Sequence, residues 1–291
     1  MWMSGYIPPE LGCEVTLYII SCIRKKSNSA GRADSGYIEE ETDFVFTVSH
    51  MPTLIFDIET VGEDFSAMDE TTKESLTRWI KREAYSEAEY ASQLQDLEDG
   101  LGFSPLTGQI VAIGVLDAER EKTAVYYQPG GEGKEIIEEE GCKYEALSEK
   151  DMLTKFWGIA RQYDTFVTFN GRSFDVPFLW TRSAVHGVKP TKNLMANRYL
   201  SSQPWNAKHV DLFDQLSFYG SVRRKGSLHL WTRAFGIESP KSQGVTGDDV
   251  RGLFREGKCR EIARYNARDL RATFELYRRY QEYFTFSDDR G

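Results

Sequence analysis

The stretch TLIFDIET, residues 53–60, decides how this chain folds. Residues 53–58 form an apolar, β-rich run without alternation, so they read as a strand buried on both faces and central in its sheet. Asp57 and Glu59 interrupt the run two residues apart. Side chains on a strand alternate, so both carboxylates project from one face while Ile58 enters the opposite layer. A strand can present two ligands to one metal cluster in this way. An acid pair at a strand end, merely facing water, has the same spelling.

Outward from this strand, residues 65–100 read as acidic and helical, and GFSPLTG breaks the pattern. QIVAIGVLD (109–117) and KTAVYYQ (122–128) read as a hairpin across a short turn, and GGEGKEIIEEEG as a charged loop with a short strand or helical turn. Ser148 with Asp151 resembles a capping box opening a helix to about Tyr163. TFVTFN (165–170) is a further strand, followed by a loop and helix over 173–187. KHVDLFDQL carries a strand segment or helix start, GSLHLWTRAFG a helix closed by Gly236, and 258–285 a long terminal helix. Three strands, a helix, then a strand with helices after it define an α/β sheet of mixed direction.

Composition fits a globular protein of 291 residues, with no apolar run near the roughly 20 residues that span a bilayer. No membrane association is expected. Cys13, Cys22, Cys142 and Cys259 are scattered without a CxxC pair, which argues against a zinc site or a disulfide framework and fits a cytoplasmic protein. The net charge of −9 is unevenly spread. From Arg182 onward there are 20 Lys and Arg against 12 Asp and Glu; residues 1–181 hold 16 against 33. A basic half points to a polyanion partner or to an ordinary solvated surface. Residues 1–50 look foreign to the rest. Their apolar segment CEVTLYIISCI is followed rather than preceded by basic residues, unlike a signal peptide. The expectation is that Met51 is the true start or that 1–50 is a poorly ordered extension.

Two further fragments carry acids. Asp175 follows Asn170, Gly171 and Phe174 at a strand exit, where it can cap a helix or serve a site. Tyr265 and Asp269 lie four apart on the terminal helix, hence on one face. Carboxylates are hard ligands suited to Mg²⁺ or Mn²⁺. Four converging on one point are hard to tolerate without cations.

In this order, D-x-E, N-x-x-x-F-D and Y-x-x-x-D resemble the DEDDy branch of the DEDD 3′–5′ exonucleases. The likeness is greatest to the proofreading exonuclease domain of family B DNA polymerases and its free-standing bacterial relatives, the predicted PolB-like 3′–5′ exonucleases. SPLTGQIVAIGVLD, KHVDLFDQL, GSLHLWTRAFGI and REIARYNARDL extend the resemblance over about 51–285. It implies an RNase H-like mixed sheet of five or six strands flanked by helices, in an exonuclease domain over 51–287. It implies Asp57, Glu59, Asp175 and Asp269 as ligands of two divalent metal ions, with Tyr265 orienting the attacking water. A sibling branch uses His near that place; His50, His186, His209 and His229 all lie elsewhere.

The implied reaction is metal-dependent hydrolysis from the 3′ end of single-stranded DNA, releasing nucleoside 5′-monophosphates. An exoribonuclease and an inactive nucleic-acid-binding module are the alternatives. Contacts to nucleic acid are expected from Thr60, Asn170 and Phe174, and from the cations Arg223, Arg224 and Lys225. Phe174 has core packing as its other reading, and the cations a solvated loop. Trp205, Trp231 and Tyr219 can stack on bases or belong to the core. His209 and Asp211 are expected to make structural hydrogen bonds. The acidic helical insert at 62–107 is longer than a compact exonuclease needs. Only 22 residues follow Asp269, so no polymerase palm is expected, and the chain reads as a free-standing nuclease or as one acting beside a DNA polymerase or repair partner.

Overall fold

The structure is a computed structural model, and it describes residues 52–130, 135–238 and 247–286. The expectations for residues 1–50 lie outside the described residues. Seven strands form one sheet: β1 (Thr53–Gly62), β2 (Gly108–Asp117), β3 (Lys122–Tyr127), β4 (Ile136–Glu139), β5 (Cys142–Ala146), β6 (Thr165–Thr168) and β7 (Lys208–Asp211). Their order is β4-β5-β3-β2-β1-β6-β7. β1 pairs antiparallel with β2 and parallel with β6, and β6 pairs parallel with β7. This is a mixed α/β sheet of the RNase H-like kind.

The count corrects the expected five or six strands. The segment read as a charged loop with a short strand or helical turn supplies the strand β4, and β5 follows it. Glu140 and Gly141 both have positive φ, 51° and 75°, which gives the hairpin turn that joins these two antiparallel strands.

β1 is interior and covered on both faces. Leu54, Phe56 and Ile58 enter a core with Phe156, Trp157, Phe166, Val176 and Phe178. That core is roofed by α3 (Glu149–Ala160) and α4 (Asp175–Val185). Ile55 and Val61 enter the other core, with Ile262, Ala263, Leu270 and Leu276 of α8 (Cys259–Tyr283). Ser148 caps α3, its hydroxyl accepting from the Asp151 amide at 3.2 Å.

The stretch read as one helical region is two helices, α1 (Glu70–Glu83) and α2 (Glu87–Gly100). Ser86 starts the second, accepting the Glu89 amide, and the Glu89 carboxylate takes the Tyr85 amide. No residue of α2 is buried, whereas α1 buries Thr77 and Ile80. Short helices α5 (Leu212–Leu216), α6 (Leu228–Ala234) and α7 (Val250–Arg255) complete the described α-helices. KHVDLFDQL is thus both strand and helix, β7 running directly into α5.

Candidate metal and nucleic-acid site

β6 and β7 end level with each other while β1 runs on to Gly62, and the candidate side chains gather beside the carboxyl ends of β6 and β7, where open α/β sheets bind ligands. Asp57 and Glu59 leave β1 on the α8 face. The β1–β2 register shifts between Glu59 and Thr60, and such a bulge re-aims side chains beside a site. From α8, Asp269 comes down onto the pair. Asp57, Glu59 and Asp269 each place one carboxylate oxygen within 4.8 Å of the others.

Asp175 lies outside that close trio but is coupled to it. It is the first residue of α4 and 3% exposed. Its carboxylate accepts the Ile58 amide at 3.1 Å, so it is tied to β1 between the two acids and does more than cap a helix. Burial, opposed by its backbone hydrogen bond and reinforced by the Asp211 and Asp269 charges, moves its pKa up to about 7. Burial first, then the Asp175, Glu59 and Asp269 charges, holds Asp57 well above the usual carboxylate range. Glu59 is raised by burial and by Asp269, against a lowering hydrogen bond from Asn266.

Tyr265 is buried, one helical turn before Asp269 on α8. Burial and the charges of Asp269, Glu59 and Asp57 push its phenol far above the ordinary tyrosine range, so it keeps its proton. The donor set is all oxygen, partly to fully buried and mutually repulsive, which is the chemistry that hard divalent cations relieve.

The other expected residues are placed as follows. The Thr60 hydroxyl donates to the Gly102 carbonyl at 2.7 Å, so its proton is committed to the end of the helical insert. Asn170 has φ of 67° and donates its amide to Asp211 at 2.8 Å. Phe174 is partly buried against the core beneath α3 and α4, edge-on to Phe103 at 6.5 Å and tilted on Phe178 at 5.2 Å. Arg223, Arg224 and Lys225 are exposed. The Lys225 ammonium lies 5.3 Å from the ring of Phe213, which packs edge-on against Phe169 beside Asn170. The basic loop therefore borders the β6 and β7 ends.

His209 and Asp211 are structural. The His209 ring bonds Thr168 Oγ1 at 2.8 Å and the Leu194 carbonyl at 3.0 Å, and burial lowers its pKa to about 4. Asp211 collects the amides of Asn170, Arg172 and Phe213, fixing the loop that leads to Asp175. Trp205 is exposed, Trp231 stacks on Phe235, and Tyr219 packs on Tyr199.

Two residues at the site escaped the reading of the sequence. Asn266, fully buried, donates from Nδ2 to Asp57 Oδ2 at 2.8 Å. Gly114 pairs with Asp57 on β2, and a Cβ there would lie 2.0 Å from Asn266 Oδ1. The available signal was position: Asn266 follows Tyr265, and Gly114 interrupts an apolar strand.

The chain belongs to the family described as "Predicted 3'-5' exonuclease related to the exonuclease domain of PolB", whose profile matches residues 107–288. Among curated relatives, a DNA polymerase of Pyrococcus glycovorans is 25% identical over 182 residues, covering 60% of this chain and 22% of the polymerase. DNA polymerase 1 of Sulfurisphaera ohwakuensis is 20% identical over 292 residues, covering 87% and 32%. The chain thus spans a third or less of the length of these relatives. The family B DNA polymerase of Pyrobaculum calidifontis aligns in structure with a TM-score of 0.47 and 17% identity, over 79% of this chain and 24% of that one. No helix among the described residues is long and apolar enough to cross a membrane.

Proposed function

We propose that this chain is a divalent-metal-dependent 3′–5′ exonuclease acting on single-stranded DNA, with its exonuclease domain over 51–287 and the helical insert at 62–107. The observation that carries the reading is the convergence of Asp57, Glu59 and Asp269 within 4.8 Å at a partly buried site, with Asp175 tied to the same strand. Asp57, Glu59, Asp175 and Asp269 would hold two Mg²⁺ or Mn²⁺ ions. When bound, such ions lower the pKa of a water and neutralise charge building on a phosphate. Tyr265, held protonated, donates a hydrogen bond and orients the nucleophile rather than taking its proton. Water attacks the phosphorus of the 3′-terminal diester, the bond to the penultimate 3′-oxygen breaks, and a nucleoside 5′-monophosphate leaves.

The loop fixed by Asp211 presents Asn170 and Phe174 at the mouth. Arg223, Arg224 and Lys225 supply point charges for phosphates without reading sequence. That the relatives are DNA polymerases is the ground for placing DNA ahead of RNA.

The test is degradation of 5′-labelled single-stranded DNA and RNA of matched sequence, with Mn²⁺ or Mg²⁺, by wild type and Asp269→Ala. A metal-dependent ladder shortening from the 3′ end, stronger on DNA and lost in the variant, is expected. A stronger ladder on RNA would make the enzyme an exoribonuclease. Absence of any ladder, together with absence of metal binding, would leave a nucleic-acid-binding module.

A further inference from the structure

Asn266 is the neutral amide set among the acids. It is 0% exposed, and its Nδ2 donates to Asp57 Oδ2 at 2.8 Å. The same amide also acts on Glu59, whose pKa it lowers against the effect of burial. One NH₂ group has two protons, enough to serve both carboxylates. The amide orientation follows from the Asp57 bond, because turning it over would set Oδ1 against an anionic oxygen. Oδ1 instead points at Gly114, where a Cβ would lie 2.0 Å away, and it has no hydrogen-bond partner. A buried acceptor without a partner is unfavourable and calls for an explanation. The explanation offered by the geometry is that the two protons are needed on the other side.

We propose that Asn266 is a positioning residue that clips Asp57 and Glu59 together, leaving their remaining oxygens turned toward bound divalent cations. The inference rests on the metal-dependent reading above. The choice of an amide has a physical reason. An Arg or Lys in this place would also hold two carboxylates, but its charge would cancel theirs and compete with the metal. Asn donates twice and leaves the negative charge intact. Gly114 is the other half of the device, since only a residue without a side chain lets Asn266 lie this close over β2. Groups that orient metal ligands in this manner typically change metal affinity or activity by about 10- to 100-fold when removed.

The experiment is Mn²⁺ titration by calorimetry on the full chain, with kcat and KM on a 5′-labelled oligonucleotide, for wild type, Asn266→Ala and Asn266→Leu. Leu keeps the branching of Asn in a larger side chain without a donor, so it fills the space that Ala leaves open. The expected result is Mn²⁺ affinity weaker by about 10-fold or more in both variants. The metal concentration for half activity should rise in parallel, kcat should fall, and KM for the oligonucleotide should stay within about twofold. Wild-type Mn²⁺ affinity and kcat in a folded Leu variant would overturn the role of Asn266 while leaving the nuclease reading in place. A wild-type chain that binds no Mn²⁺ would overturn the nuclease reading, and this inference with it.

Discussion

Replacing Asp175 with Asn should stabilise the metal-free protein while disabling it. Asp175 is 3% exposed, with a pKa moved up to about 7, against about 3.9 for an Asp in an unfolded chain. A carboxyl raised on folding binds its proton more tightly in the native state. Its stabilising contribution is therefore complete below the unfolded value and is lost as pH rises toward the folded one. At pH 7 the linked penalty is roughly 4 kcal/mol. Asn keeps an acceptor for the Ile58 amide that Asp175 now bonds at 3.1 Å, so most of the penalty should be recovered, about 2–4 kcal/mol. For a domain of this size that is an increase of roughly 5–10 °C in the unfolding midpoint. Scanning calorimetry in EDTA at pH 5.5 and pH 8 makes the comparison. Wild type should lose about 2 kcal/mol or more over that interval from this group alone, and Asp175→Asn distinctly less. Saturating Mn²⁺ should reverse the order, because the ligand set is complete only in wild type. A wild-type midpoint in EDTA that is level or rises from pH 5.5 to 8, or a variant no more stable than wild type, would refute the assignment of Asp175 to a strained, buried acid cluster.

Tyr265→Phe removes the hydroxyl whose proton Asp269, Glu59 and Asp57 help to hold and should lower kcat roughly 100-fold with little change in KM; loss of activity restricted to KM would place the phenol in binding instead. Changing Arg223, Arg224 and Lys225 together to Ser should weaken single-strand binding and reduce the slope of log affinity against log salt by about 2, near 0.7 per phosphate contact. An unchanged slope, measured by fluorescence anisotropy on inactive Asp269→Ala protein, would return those cations to the solvated surface.

The central strand was legible because an apolar run without alternation fits few places other than the middle of a covered sheet, and β1 lies there. The β2–β3 hairpin and α8 were legible for similar reasons, through alternation, length and helical spacing. The β4–β5 hairpin was not. IIEE and CKYEA carry as many charges as a loop would, because β4 is the edge of the sheet and only half of its side chains have anything to pack against. The turn that betrays it is Glu140-Gly141, a backbone signal rather than a hydrophobic one. The break between α1 and α2 was equally faint, since it depends on one serine cap.

At the site, sequence spacing named the four carboxylates and the tyrosine, but it had no way to find what arranges them. Asp57 and Asn266 are 209 positions apart, and no periodicity relates a strand acid to a helix amide. Gly114 is subtler, because its contribution is an absent side chain. Together they show why the acid cluster can exist in the metal-free fold at all. Buried carboxylates of like sign repel, and the fold answers with protonation, as at Asp175, and with neutral donors, as at Asp57 and Glu59. Protonation is given up when a metal binds, but an amide bond to a carboxylate is compatible with both states. The donors that persist through metal binding are therefore the ones that can set the geometry of the bound site, and a backbone amide at Ile58 and a side-chain amide at Asn266 meet that requirement where a cation would not.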